Sequence, residues 1–224
     1  MTDAAPVPVG PAAANAAERS PSVQRSRMRT LRHTQSVVDA ARRLIREKGE
    51  SFTIQEVAKE AGVALQTFYR CFAGKDELLL AVIEDMVLEA CARFKASVEG
   101  ITDPVERLRS HIAAVPTVVQ DSDDGGAAAR FVVSNRMRLS QLFPEAAMRI
   151  TKAFADLLEP EIAAATARGQ LRSTDPARDA WLITQLVLSV FQQGAFAPTQ
   201  DAPLVDHVWQ FCLGGLRAGD GPGA

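Results

Sequence analysis

Apolar residues recur at helical spacing along almost the whole chain, and no stretch shows the alternation expected of a strand. Val37, Ala41, Leu44 and Ile45 mark a first helix from about Thr34 to Lys48, ended by Gly49. At Phe52-Thr53-Ile54-Gln55-Glu56-Val57, Thr53 and Glu56 have capping-box spacing, and Phe52 and Val57 form a hydrophobic staple across it. The pattern predicts a second helix with Ile54, Val57, Ala58 and Ala61 as its buried stripe, stopped by Gly62. A short third helix over Leu65–Phe72 turns Phe68 and Phe72 inward, and Ala73-Gly74 breaks it. A long fourth helix follows from about Lys75 to Val98.

The remainder also reads as helices. Asp103-Pro104 and Asp175-Pro176 are cap-and-proline starts, which predicts helices from there to about Val119 and Phe196. Others are expected over Ala127–Leu142, Pro144–Arg168 and Pro203–Arg217, with a kink or early end at Pro116 and a bend at Pro160. Residues 121–126 read as a loop, 1–27 as a disordered tail with a basic arm, and 219–224 as a flexible tail. The expected fold class is therefore all-α.

Charge divides this chain unevenly. Between Arg25 and Lys75 there are eleven Arg and Lys against five Asp and Glu, so that segment carries +6 while the whole chain carries −2. A basic first third on an acidic body is expected of a nucleic-acid-binding module joined to something else, and a solvated helix face is the plainer alternative. Cys71, Cys91 and Cys212 are an odd, widely spaced set, which suits a reducing cytoplasm better than a disulfide framework. No apolar run is long enough for a membrane span, and the Ala- and Pro-rich start does not read as a signal peptide. His33, His111 and His207 lack metal-ligand spacing, and no catalytic motif is present, so neither enzyme activity, a metal nor a cofactor is expected.

Three short helices with a glycine-containing turn between the second and third fit a helix-turn-helix over residues 53–72. In that arrangement the third helix lies in the major groove of double-stranded DNA. Leu65, Gln66, Thr67, Tyr69 and Arg70 are the positions its core does not need. Gln66 and Arg70 suit adenine and guanine edges, and Leu65 suits a thymine methyl. Thr67 and Tyr69 suit phosphate oxygens, as do Thr53 and the first-turn N–H groups of the second helix. Lys75 opens the fourth helix, where its charge opposes the helix dipole and a phosphate would offset the cost. Arg25, Arg27, Arg29 and Arg32 form a spaced basic arm that either follows the DNA or solubilises the chain.

Phe52–Val63, Thr67-Phe68-Tyr69-Arg70-Cys71-Phe72 and Lys75-Asp76-Glu77-Leu78-Leu79 resemble the TetR family of bacterial repressors, over residues 34–85. Three positions depart from the usual pattern: Ala64 stands where Ser is common, Leu65-Gln66 where Lys-Gly or Pro-Gly is common, and Cys71 where an aromatic or His is usual. These departures bear on the operator sequence. The resemblance implies a homodimer of two-domain subunits with about nine helices, a helix-turn-helix domain (28–75) binding a palindromic operator, and an effector-binding and dimerisation domain (76–218).

In the second half, the helix at Asp175–Phe196 is apolar nearly all round, which requires burial on more than one side, by a partner or by its own core. Trp181, Leu188, Gln192, Val205, Trp209 and Leu213 are the candidate dimer residues. Gln185, Ser189 and Gln192 share one stripe that faces a pocket, a dimer seam or solvent. Candidate pocket residues are Met86, Ala90, Phe94, His111, Phe131, Asn135, Met148 and Phe154, for each of which core packing is the plainer reading, with Gln185 and Ser189 from the polar stripe. Their balance suggests a small hydrophobic or amphipathic effector, anchored by His111 and Asn135. A helical carrier or enzyme with an incidental basic segment is the competing reading, and activation rather than repression is not distinguished.

Overall fold

The computed structural model describes residues 19–120, 126–196 and 202–217. Among these it holds nine α-helices: α1 Pro21–Lys48, α2 Ile54–Glu60, α3 Leu65–Cys71, α4 Lys75–Ser97, α5 Pro104–Gln120, α6 Ala127–Leu142, α7 Pro144–Ala167, α8 Pro176–Phe196 and α9 Ala202–Arg217. A 3₁₀ turn, Gly49–Ser51, joins α1 to α2. The expected tails at 1–18 and 219–224 and the loop at 121–125 lie outside the described residues.

One boundary differs substantially. Helix α1 begins at Pro21, thirteen residues before Thr34, so residues 21–27 and the arginine arm are helical rather than a disordered tail. Apolar periodicity marks only the packed part, beginning at Val37, whereas residues 21–32 are all exposed. Ser20 in extended conformation followed by Pro21 starts the helix. With no Gly or Pro inside the segment, adding turns to an existing helix costs far less than nucleating one.

Neither proline ends its helix: α5 is helical through Pro116 to Gln120, and α7 passes through an exposed Pro160. Solvent can take up the carbonyl that a proline leaves unpaired there. No helix among the described residues is long and apolar enough to cross a membrane.

Two apolar clusters organise the fold. The first gathers Val37, Ala41 and Leu44 of α1, Val57, Phe68 and Phe72, and Leu78, Leu79 and Val82 of α4; Phe131 and Leu139 of α6 and Ala146 of α7 close it. The second packs α4–α5 against α7–α9 through Phe94, Leu108, Leu158, Ile162, Ile183 and Trp209. Helices α4 and α7 enter both, so each links the two clusters mechanically.

His111, beside Leu108 and Ile112 of the second cluster in sequence, is 2% exposed, and its Nδ1 has no hydrogen-bond partner among the described residues. Burial pushes its pKa below the ordinary value of 6.5; Glu161 opposes that shift and Arg107 reinforces it. Glu161 is paired with Arg107, Nη2 to Oε2 2.6 Å. A base with a lowered folded pKa binds fewer protons folded than unfolded. Its contribution is therefore complete above pH 6.5 and is lost as the pH falls below that value. Urea-unfolding midpoints are expected to fall between pH 7.5 and pH 5.5, and His111→Leu to flatten that fall while leaving the pH 7.5 midpoint unchanged or raised, since it removes an unpaired buried nitrogen. An equally steep fall in the variant would exclude His111 as the cause.

Candidate nucleic-acid interface and effector cavity

The helix-turn-helix is built by local rules. Thr53 Oγ1 accepts from the Glu56 amide at 3.2 Å, and Glu56 Oε2 accepts from the Thr53 amide at 2.7 Å, completing the capping box. Lys48 and then the Thr53 amide and hydroxyl hold the Glu56 carboxyl down at about 2. At the other end of α2, Gly62 takes φ +66°. The Val63 amide donates to Ala58 O (3.0 Å) and the Gly62 amide to Lys59 O (3.1 Å), the two bonds of a Schellman ending. A side chain at position 62 would be strained in this left-handed conformation.

Helix α3 is held by its inner face. Phe68 is fully buried, with ring centres 5.4 Å from Tyr69 and 5.8 Å from Phe72. Leu65, Gln66, Tyr69 and Arg70 are exposed, while Thr67 is half-buried. Ala64 caps the helix without a side-chain hydrogen bond, as its departure from the family pattern implies.

Two of the expected phosphate-binding groups carry internal bonds. Besides accepting from Glu56, the Thr53 hydroxyl donates to Glu56 Oε2 at 3.0 Å. Lys75 Nζ donates to Glu50 O (2.6 Å) and Phe52 O (2.8 Å) and lies 4.2 Å from the centre of the Phe52 ring. These carbonyls and the ring offset the cost of a cation at a helix start. Lys75 thereby ties α4 to the turn before α2. Arg25, Arg29 and Arg32 fall at i, i+4 and i+7 on the exposed part of α1, so they share one stripe.

Asn135 is 1% exposed, and it is a cross-link rather than a cavity anchor. Its Nδ2 donates to Glu50 Oε1 and to Phe131 O (3.0 Å), while its Oδ1 accepts from Arg138 Nη2 at 2.8 Å. Arg138 in turn pairs with Asp76 on α4. Through Glu50, whose carbonyl also receives Lys75, α6 is bonded to both the α1–α2 turn and the start of α4.

A cavity of about 510 Å³ lies between α4, α5, α6, α7 and α8. Met86, Ala90, Phe94 and Phe154 line it as expected. The other candidates lie elsewhere: His111 and Phe131 in the two cores, Asn135 in its network, and Met148 on the surface. Gln185 is half-buried and Ser189 exposed, and neither lines the cavity. The positions that sequence reading missed include the aliphatic Val87, Val115, Val118 and Val187, the aromatic Phe191, and the charged Glu89 and Arg93 of α4 and Arg42 of α1. Cys91 also lines the wall; burial, with Asp156 second, pushes its thiol up to about 11, so it behaves as an apolar group.

The expected dimer residues also divide. Trp181 is 52% exposed, and Gln192 and Val205 are half-buried, but Leu188 lines the cavity. Trp209 and Leu213, at 5% and 8%, are buried against the chain's own second core. Apolar periodicity shows that a helix is covered without showing by what. The outward faces of α8 and α9 instead present Leu182, Phe196 and Phe211, the last 70% exposed.

The family described as "Bacterial regulatory proteins, tetR family" matches residues 37–82, the stretch from the packed part of α1 into α4. The HTH-type transcriptional regulator HbdR of Aromatoleum sp. (strain CIB) is 29% identical over 153 residues, 67% of this chain and 64% of that protein. The HTH-type transcriptional regulator BetI of Brucella canis is 31% identical over 93 residues, 41% of this chain and 47% of the relative. Over residues 37–82 this chain is thus similar to the TetR family of bacterial regulatory proteins. The chain thus spans less than two thirds of the length of either of these relatives. The TetR fold extends through the second half as well. The structure of Thermus thermophilus FadR, a TetR-family transcriptional repressor in complex with lauroyl-CoA, superposes with a TM-score of 0.64. That superposition covers 85% of this chain and all of FadR at 22% identity.

Proposed function

We propose that this protein is a transcriptional repressor that binds a palindromic DNA operator as a homodimer and is released by a small amphipathic effector. The observation that carries the reading is the outer face of α3. Leu65, Gln66, Tyr69 and Arg70 stand exposed on a seven-residue helix whose other side is anchored by Phe68, behind a capped α2 and a glycine turn. This is the disposition that places a second helix in the major groove. Thr67 and Tyr69 then address phosphates, and the third N–H of the Lys75 ammonium remains for another. The arginine stripe on α1, Arg29 at its centre, adds a rigid basic rail for the DNA backbone.

The exposed apolar residues of α8 and α9 supply the dimer face, and the cavity supplies the effector site. Lauroyl-CoA in the structurally similar FadR is an amphipathic ligand of the same general kind. Helix α4 contributes Met86, Ala90 and Phe94 to the cavity and Lys75 to the turn ahead of α2, so it couples input to output. An effector releases the operator only if it binds the released conformation more tightly than the DNA-bound one.

Selection of duplexes from a random pool, followed by fluorescence anisotropy at 50 and 200 mM salt, tests the reading. A two-fold symmetric site is expected, with affinity falling by roughly 10³ or more across that range. Truncation of residues 1–32 is expected to flatten the salt slope. A helical carrier would show no salt-sensitive DNA binding and no response to Tyr69→Ala, and that result would overturn the proposal.

A further inference from the structure

The cavity is graded from apolar to charged. Phe94, Phe154 and Val187 at its inner wall are each less than 10% exposed. Among the described residues its charged lining residues are Arg42, Glu89 and Arg93, whose side chains are 28%, 46% and 59% exposed, so the polar end is the mouth. These three form one ion-pair chain. Arg42 Nη2 donates to Glu89 Oε2 at 2.7 Å, and Arg93 Nη1 donates to Glu89 Oε1 at 3.2 Å. Arg42 also holds Asp85 through Nη1 at 2.8 Å.

Arg42 differs from every other lining residue. It comes from α1, between Ala41 and Leu44 of the first core, whereas the rest come from α4 and later helices. The Arg42–Glu89 pair therefore ties the helix-turn-helix to α4 across the mouth of the cavity.

We infer that the effector is an amphipathic carboxylate, and that its carboxylate takes Arg42 and Arg93 from Glu89 while its apolar body fills the cavity. Two guanidiniums converge on one carboxylate at the mouth, a geometry a ligand carboxylate can adopt by substitution. Among the described residues, a cationic head would find there only a carboxylate already held by two arginines. A neutral head could accept from a guanidinium but would bring no opposite charge to the two arginines. Substitution breaks one of the two ion pairs that Arg42 makes with α4, the one to Glu89, and leaves the one to Asp85, so occupancy of the cavity reaches α1 through the position of one side chain. This identity of the effector rests on the cavity being the effector site proposed above.

The test uses the full-length protein without DNA, with sodium decanoate, 1-decanol and decyltrimethylammonium as probes of one tail and three heads, measured by calorimetry. Decanoate is expected to bind at least about tenfold more tightly than decanol, the lower end for a hydrogen bond to a charged group. Arg93→Gln, which leaves α1 untouched, is expected to remove most of that advantage, and Arg42→Gln likewise. Glu89→Gln is expected to act oppositely, raising decanoate affinity by removing the competing carboxylate. Equal binding of decanol, preference for the cation, binding of none of the three, or weaker decanoate binding by Glu89→Gln would each overturn the inference. Anisotropy on the selected duplex is measured separately. Loss of the headgroup preference with DNA binding intact counts against this inference alone. The expected preference without DNA binding counts against the repressor reading and leaves the carboxylate site standing.

Discussion

Phe68→Ala is expected to destabilise the helix-turn-helix by about 3–5 kcal/mol, the range for deleting a buried phenyl ring. Phe68 is fully buried and joins the first core between α1, α2 and α4. Its ring also contacts those of Tyr69 and Phe72, so truncation loosens the aromatic packing on both sides. Helix α3 has seven residues, too few to persist in water without tertiary contacts. Its order therefore depends on this anchor more than on its own hydrogen bonds. Urea unfolding followed by far-ultraviolet circular dichroism measures the loss, with the midpoint falling at unchanged slope if the transition stays two-state. A cost below about 1 kcal/mol would mean that the site collapses around the smaller side chain and that α3 is held by other contacts.

The same residue illustrates why this part of the molecule was legible in sequence. Thr53, Glu56, Gly62 and Phe68 each obey a rule acting over a few residues, and the structure shows the capping box, the left-handed glycine and the buried ring. Local rules fail where the partner of a side chain lies far away in sequence. Arg42 and Glu89 are 47 positions apart, and Asn135 and Glu50 are 85 apart. Without that geometry, a polar residue in an apolar helix such as Asn135 reads as a ligand anchor. It is instead a strut between α6 and the start of the DNA-binding region.

Burial by the chain itself and burial by a partner leave the same mark on a sequence. Trp209 and Leu213 repeat at the spacing of a covered face, and that face turns inward. The cavity wall was obscured for a related reason, because Val115, Val118 and Val187 are chemically identical to core residues. What makes them a wall is the space between helices, which no single helix encodes. The early start of α1 was invisible for the opposite reason: residues 21–32 are all exposed, so no buried apolar stripe marks them.

Replacing Gln66 and Arg70 together by Ala is expected to abolish sequence discrimination while preserving the fold. Both side chains are exposed on α3, and alanine is at least as good a helix former, so urea midpoints should stay close to those of the unmodified protein. Each bidentate base contact contributes about 1–3 kcal/mol of discrimination. The pair therefore accounts for about 2–6 kcal/mol, a ratio of roughly 30 to 10⁴ between the selected duplex and a scrambled one. Because the two residues are one turn apart and share a groove, their single effects need not add. Tyr69→Phe removes only a hydroxyl assigned to phosphate, so it should weaken both duplexes alike and leave the ratio intact. Anisotropy titrations on the two duplexes at fixed salt separate the outcomes. If the double variant kept the ratio, sequence would be read elsewhere, through Leu65 or through the shape of the duplex along the arginine stripe of α1. If Tyr69→Phe changed the ratio, the division of α3 into base-reading and phosphate-holding positions would be wrong.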